Sequence, residues 1–278
     1  MTIEEVIIKS LEEDLGDGDH TSLSTIPADS KGKAQLIAKE AGIIAGVRIA
    51  EKVYKQVDKN TGFKAFVQDG SPIKVGDIIF EVWGSSVSIL SAERLALNFM
   101  QRMSGIATTT KKYVDLITGT PTTLLDTRKT TPLMRLLEKE AVKLGGGDNH
   151  RMGLYDMIMI KDNHVDFAGG TVAAIKACHT YLKKHDKDLK IEIEVRSFEE
   201  LQEVLDYGQV HRIMLDNFTP AQLVQALKLI DKKYETEASG GITAETIRAY
   251  AETGVDFISV GALTHHIKSL DLSLKAIS

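Results

Sequence analysis

Two rhythms of hydrophobic and polar residues divide this chain. Residues 3–14 and Val47–Val57 place apolar side chains on one helical face, which predicts two amphipathic helices. Around them lie short alternating stretches, Lys33–Lys39, Gly62–Val67 and Asp77–Trp83, set off by Gly42, Gly46, Gly70, Pro72, Gly76 and Gly84. These read as strands joined by tight turns, and the run from Gly16 to Ser22 as a turn-rich loop. A long helix is expected over Ser88–Met103 and another after Gly105. From there the pattern becomes regular. Apolar strand-like runs at Thr123–Asp126, Met157–Lys161, Lys190–Val195, Arg212–Asp216, Glu235–Ser239 and Asp256–Val260 alternate with helical runs at Pro132–Leu144, Thr171–Lys184, Phe198–Tyr207, Pro220–Lys232 and Ala244–Thr253.

Such alternation predicts parallel strands with crossover helices, and strands that read apolar throughout favour a barrel. The rival is an open doubly wound sheet, which normally carries a G-x-G-x-x-G loop, and the chain has none. The residues thus lead to an α/β fold class, with a strand-rich α+β pattern over about the first hundred residues and a parallel α/β barrel after it.

Polar residues collect at the ends of the apolar strands. Asp126 with Arg128 and Lys129, then Lys161, Glu194, Asp216, Ser239 and Gly261 each close one run. In a parallel barrel these ends share one rim, where active sites are built. Arg128, Lys129, Arg151 and Lys161, with His150, form a cationic half suited to carboxylates or phosphates. Glu194 and Asp216 form an acidic half suited to Mg²⁺ or sugar hydroxyls. The plainer alternative is that the two halves neutralise one another as internal ion pairs. The turns Ser239-Gly240-Gly241-Ile242-Thr243, taken to open a helix, and Val260-Gly261-Ala262-Leu263-Thr264 offer backbone amides to a phosphate. Three glycines, Gly145 to Gly147, permit either close approach of the chain to a ligand or a surface hinge. Thr131-Pro132 reads as a helix start.

Composition narrows the function. Lys and Arg total 34 against 39 Asp and Glu, a net charge of −5, which argues against a nucleic-acid binder. Anion binding must therefore come from a local pocket. The single cysteine, Cys178, forms no internal disulfide and reads as a small core residue. There is no signal-like N-terminus and no run long enough to span a membrane, so a cytoplasmic enzyme is expected.

Taken together, Asp126-Thr127-Arg128-Lys129-Thr130, Gly145–Arg151 and Ile160-Lys161-Asp162-Asn163-His164 resemble the signature of quinolinate phosphoribosyltransferases. Ala92–Asn98, Ser104–Thr108, Ile191–Val195, Met214–Asn217 and the two glycine turns resemble the same family, in its order along nearly the whole chain. The chain departs at Pro132-Leu133-Met134-Arg135, where the family commonly has Pro-Gly, and carries apparent extra residues near Asp17–Asp19 and Tyr207–His211.

The resemblance implies transfer of phosphoribosyl from phosphoribosyl pyrophosphate to quinolinate with loss of CO2, giving nicotinate mononucleotide for NAD biosynthesis. It implies an N-terminal α/β sandwich domain over residues 1–104, an incomplete parallel α/β barrel over 105–264 and a C-terminal helix over 265–278 returning toward the first domain. It also implies Mg²⁺ as cofactor and a homodimer or higher assembly with a shared active site. Thr127, Arg128, Lys129, His150, Arg151 and Lys161 would line the site, with Arg94 reaching it from a partner subunit. Lys129 and Lys161 would balance the departing pyrophosphate. Glu194 and Asp216 would hold the ribose hydroxyls and the metal, and Ser239, Gly240, Gly241, Val260, Gly261, Ala262 and His265 the 5′-phosphate. Glu192 shares a face with Glu194 in an alternating strand, so the pattern leaves open which of them reaches the sugar. A Schiff-base aldolase using Lys161 and a non-catalytic sensor of a phosphoribosyl ligand stand as alternatives.

Overall fold

The computed structural model describes residues 2–277. By density of internal contacts the chain divides into two units: one of residues 1–112, 130–146 and 263–278, the other of 113–129 and 147–262.

The first unit begins with helices α1 (Ile3–Leu15) and α2 (His20–Thr25), followed by β1 (Lys31–Ala38), β2 (Gly42–Ile43), α3 (Val47–Val57), β3 (Gly62–Ala65), β4 (Pro72–Ile73) and β5 (Ile78–Ser85). Thr2 caps α1 in a reciprocal box with Glu5, which satisfies two backbone donors at the helix start. The expected loop over Gly16–Ser22 is half helix, because the Asp19 carboxylate accepts the Ser22 N–H and caps α2. The helix α4 (Ser86–Leu116) runs unbroken through Gly105, where two helices were expected. A Cβ at Gly105 would stand 2.3 Å from the Lys268 carbonyl oxygen, so that glycine serves close packing and not a break.

The helix α5 starts at Arg135 and ends at Leu144, later than Thr131-Pro132 suggested, since Leu133 at φ 67° cannot begin a right-handed helix. The expected C-terminal helix is also corrected. Residues Leu272–Ile277 form a strand that pairs antiparallel with β1 and gives the sheet order β12-β1-β5-β3, where β12 denotes this last strand. Leu272, Leu274 and Ala276 alternate with Ser273, Lys275 and Ile277, a period of two more than a helical face.

The second unit carries β6 (Thr123–Leu125), β7 (Ile158–Ile160), α6 (Asp162–Ala168), α7 (Thr171–Lys184), β8 (Ile191–Val195), α8 (Phe198–Tyr207), β9 (Arg212–Asp216), α9 (Pro220–Ile230), β10 (Glu235–Ser239), α10 (Ile247–Ala251), β11 (Phe257–Ser259) and the start of α11 (Ala262–His265). The six strands lie in the order β6-β11-β10-β9-β8-β7, and every ladder is parallel. The first strand pairs with the last, as in a closed barrel, but β6 and β7 make no ladder. The alternating pattern predicted the parallel barrel, and it is incomplete, as the family resemblance implied. The short helix α6 went unpredicted. The Ser239–Thr243 turn does not lead straight into a helix, since α10 begins only at Ile247.

Candidate active site

Alternate residues of the parallel strands face the barrel interior, and the ladders align them. Glu194 lies beside Met214, Met214 beside Glu237, and Asp216 beside Ser239. At the C-terminal ends of the strands a cavity of about 320 Å³ opens, large enough for a small aromatic diacid. Arg128, Lys129, Arg151 and Lys161 line it, with His150. Thr127, Met159, Met214, Glu237, Ser239 and Ser259 complete its lining. A larger cavity, about 1020 Å³, lies by the opposite strand ends, among Lys190, His211, Glu235 and Asp256. It holds none of the candidate residues.

Arg128 and Arg151 dominate the electrostatics of the small cavity. Burial, then the Arg128 charge, holds the Arg151 guanidinium below its ordinary pKa. Arg128 Nε is buried without a hydrogen-bond partner. Leaving such a donor unsatisfied costs about 1–3 kcal/mol, which an acceptor on a ligand would recover. Arg151 is held from behind, its Nη1 donating to the Met157 carbonyl at 3.1 Å. The loop between them is pinned by Asp156, which accepts the Met152 and Gly153 N–H groups at 2.7 and 2.8 Å.

Across the rim, Lys161 Nζ stands 3.3 Å from Glu194 Oε2. Glu194 is thus the acid nearer the mouth, while Glu192 is fully buried. The pleat puts both on one face, but two residues of rise separate them in depth. Asp216 accepts the Asn217 side-chain amide at 2.6 Å. That asparagine, at φ 58°, also donates its backbone N–H to the Ser239 carbonyl and so ties two strand ends together. Gly240 (φ 98°) packs so closely on it that a Cβ would stand 2.2 Å from Asn217 Oδ1.

Beneath the cavity lies a cluster that sequence reasoning passed over. His150 Nε2 is 3.0 Å from Glu192 Oε2 and 3.3 Å from Glu237 Oε2, a position suited to one shared N–H. Below them Arg212 Nη1 donates to Glu237 Oε2 at 3.1 Å, and its Nε and Nη2 reach Glu235. Burial alone would lower the His150 pKa, but the hydrogen bonds and charges of the two carboxylates carry it up to about 9. Burial and the Glu237 charge push Glu192 up. Glu237 is held down against its burial by His150, Ser259 and Arg212. The pair therefore keeps one firm negative charge, on Glu237. The Nδ1 side of the ring opposes the pull of the carboxylates: it accepts the Arg151 N–H at 2.7 Å, which a proton there would forbid, so the geometry is that of a neutral ring with its one proton on Nε2, against the raised pKa. The demand of the carboxylates for a proton is met at Nε2.

Asp126 joins this set from beneath the rim. It is fully buried and accepts the His150 N–H at 2.9 Å. The sequence signal for the cluster was present: Glu192, Arg212 and Glu237 are charged residues inside strands that must be buried on both faces. Arg94 and His265 are not among the residues that line the cavity; Arg94 lies on α4 and His265 at the end of α11, both in the first unit. Gly241 adopts φ 58° with open space around it. Cys178 is half-buried on α7 with its thiol pKa pushed up by burial, so it is no nucleophile.

A parallel barrel with guanidinium groups facing carboxylates at the strand ends defines a class: α/β-barrel proteins that bind an anionic ligand at the C-terminal rim. Similarity to known proteins makes this particular. The quinolinate phosphoribosyl transferase C-terminal domain matches residues 106–275, and the N-terminal domain of the same family matches residues 19–104. Quinolinate phosphoribosyltransferase [decarboxylating] 2b of Nicotiana tabacum is 46% identical over 98% of this chain and 82% of its own. A probable nicotinate-nucleotide pyrophosphorylase [carboxylating] of Bacillus subtilis is 42% identical over 94% of this chain and 89% of its own. The crystal structure of NadC from Streptococcus pyogenes superposes with a TM-score of 0.93 at 38% identity, over 99% of this chain and 97% of that one. The nicotinate-nucleotide pyrophosphorylase from Francisella tularensis gives 0.91 at 42% identity, over 99% and 96%. The chain belongs to the quinolinate phosphoribosyltransferase family, and it is an enzyme.

Proposed function

We infer that the cavity carries out the family's reaction: quinolinate and phosphoribosyl pyrophosphate give nicotinate mononucleotide, pyrophosphate and CO2. The observation that carries this reading is the pair Arg128 and Arg151, two guanidiniums close enough to repel and one with an orphaned buried donor. Two carboxylates on adjacent ring carbons match two guanidinium forks. Held that way, with Thr127, His150 and Lys161 around it, quinolinate presents its ring nitrogen to the sugar.

Nitrogen attack at C1′ forms the glycosidic bond while the C1′–O bond to pyrophosphate breaks, through a state with positive charge on the sugar. Glu194 and Asp216 stabilise that charge and hold the ribose hydroxyls. Lys129 and Lys161 balance the departing pyrophosphate. The ring is then cationic. It accepts the electron pair left as the adjacent carboxylate departs as CO2, and water supplies the proton that replaces it. The 5′-phosphate rests on Ser239, Gly240 and Gly241 and on Val260, Gly261 and Ala262.

Glu194 and Asp216 end neighbouring strands near the rim as oxygen donors and fit Mg²⁺, a hard cation that keeps several waters. When bound, it supplies charge neutralisation for the pyrophosphate. A homodimer is part of this reading, with Arg94 supplied to the partner's cavity. The exposure of Leu154, Tyr155 and Phe167, large apolar side chains, supports an interface. No helix among the described residues is long and apolar enough to cross a membrane. The tobacco relative's name places that protein in mitochondria, and we take the cytoplasm as the compartment here because the single thiol, Cys178, leaves the fold no internal disulfide to depend on.

Release of CO2 and pyrophosphate, measured with quinolinate and then with nicotinate, tests the reading. Turnover of quinolinate alone is expected. Turnover of nicotinate without CO2 would replace quinolinate as substrate, and borohydride trapping of a carbonyl compound on Lys161 would restore the aldolase alternative.

A further inference from the structure

Glu192 and Glu237 take no part in the chemistry just described, yet both are fully buried in the barrel interior. Both carboxylate oxygens of Glu192 lack a conventional hydrogen bond, as does Glu237 Oε1. Burying carboxylates this way is costly, and apolar residues of the same volume would normally serve a barrel core better. The two share one neighbour, the Nε2 of His150, at 3.0 and 3.3 Å. The ring's other nitrogen accepts the Arg151 N–H at 2.7 Å, and Asp126 holds the His150 N–H at 2.9 Å. A continuous set of contacts thus runs from Arg212 at the base of β9, through Glu237 and Glu192, across the imidazole, to the backbone of Arg151 at the cavity.

We propose that Glu192 and Glu237 are positioning residues for quinolinate: they orient the His150 ring, which fixes the Arg151 backbone and with it the guanidinium that grips the diacid. Arg212 anchors the pair from below, and its own contacts with Glu235 and the Phe257 ring, 3.9 Å from the guanidinium carbon, keep it in place. The effect falls on quinolinate, because the contacts through His150 lead to Arg151; Glu237 also reaches Ser259, beside the second phosphate turn, so Glu192 is the cleaner probe of the two. This inference rests on the assignment of Arg151 to quinolinate.

The test is steady-state kinetics on Glu192→Leu and Glu192→Gln. Leu keeps the volume and removes the acceptor. It should raise the KM for quinolinate about tenfold, the worth of one lost hydrogen-bonded link, with kcat and the KM for phosphoribosyl pyrophosphate within about twofold. Gln, which keeps an acceptor oxygen, should recover most of the loss. In a His150→Phe background the Leu substitution should have no further effect, since the link is already cut. Glu237→Leu, read in the same cycle with Glu237→Gln as its conservative control, decides the matter if Glu192→Leu does not fold. An unchanged KM for quinolinate, an equal rise for both substrates, or effects that add to those of His150→Phe would each overturn the proposal. Arg151→Ala separates the two readings. If it leaves quinolinate binding intact, the site assignment fails; if it abolishes binding while Glu192→Leu does nothing, only the positioning role fails.

Discussion

The residue that most constrains the reading is Arg151. Its guanidinium is half-buried, sits near a like charge and is braced by the Met157 carbonyl, so it is preorganised for an anion and not for a protein partner. Arg151→Ala should abolish turnover while circular dichroism and the unfolding midpoint remain near those of the parent. Charge-assisted hydrogen bonds of about 1.5–3 kcal/mol each put the loss of quinolinate affinity at about a hundredfold or more. Normal turnover in the folded variant would remove the assignment. His150 shows how one residue type yields two readings. Sequence places it beside the cavity, correctly, but its ring nitrogens are engaged by Glu192, Glu237 and the Arg151 N–H.

At the scale of elements, two loops set the geometry. The first is the turn after β10, where Gly240 lies against Asn217 at φ 98°. A side chain there meets both backbone strain and the asparagine, so Gly240→Ala should weaken phosphoribosyl pyrophosphate by about tenfold or more while sparing quinolinate. Isothermal titration with each ligand checks this, and equal losses for both would refute it. The second is the loop after Arg151, gathered by Asp156. Burial raises the Asp156 pKa, but the Met152 and Gly153 N–H groups outweigh it, so the folded value lies below the ordinary 3.8. A depressed carboxylate stabilises the fold above its unfolded pKa, and that contribution disappears as pH falls through the folded value. Amide exchange at Met152 and Gly153 should therefore stay slow from neutral pH down to about 4 and accelerate below it, and Asp156→Asn should remove the acid step.

For the whole molecule, the prediction concerns assembly. If Arg94 is supplied by a partner, as proposed, Arg94→Ala and Arg151→Ala homodimers should each be inactive, since each lacks one component of every site. Mixed and re-equilibrated, half of the dimers are hybrids with one intact site, so about a quarter of the parent activity should return. No recovery, despite subunit exchange shown by mass spectrometry, would place Arg94 in its own subunit's site or outside any site.

What the chain determined by itself was periodic and local. The alternation of apolar runs fixed six parallel strands and most of their helices, and the residues closing those runs named the cationic set, because strand ends converge wherever such strands close into a barrel. The helices Val47–Val57, Thr171–Lys184 and Phe198–Tyr207 fall where their apolar faces put them. Tertiary structure decided what depends on distant neighbours. Leu272–Ile277 became a strand because β1 offered an unpaired edge, and α4 passes through Gly105 because the Lys268 backbone needs the room. The same dependence separated Glu194 from Glu192. Their spacing gives both the same face, and only the assembled parallel sheet puts one at the rim beside Lys161 and the other in the interior beneath His150, where a charge is stable only with partners brought by three other segments.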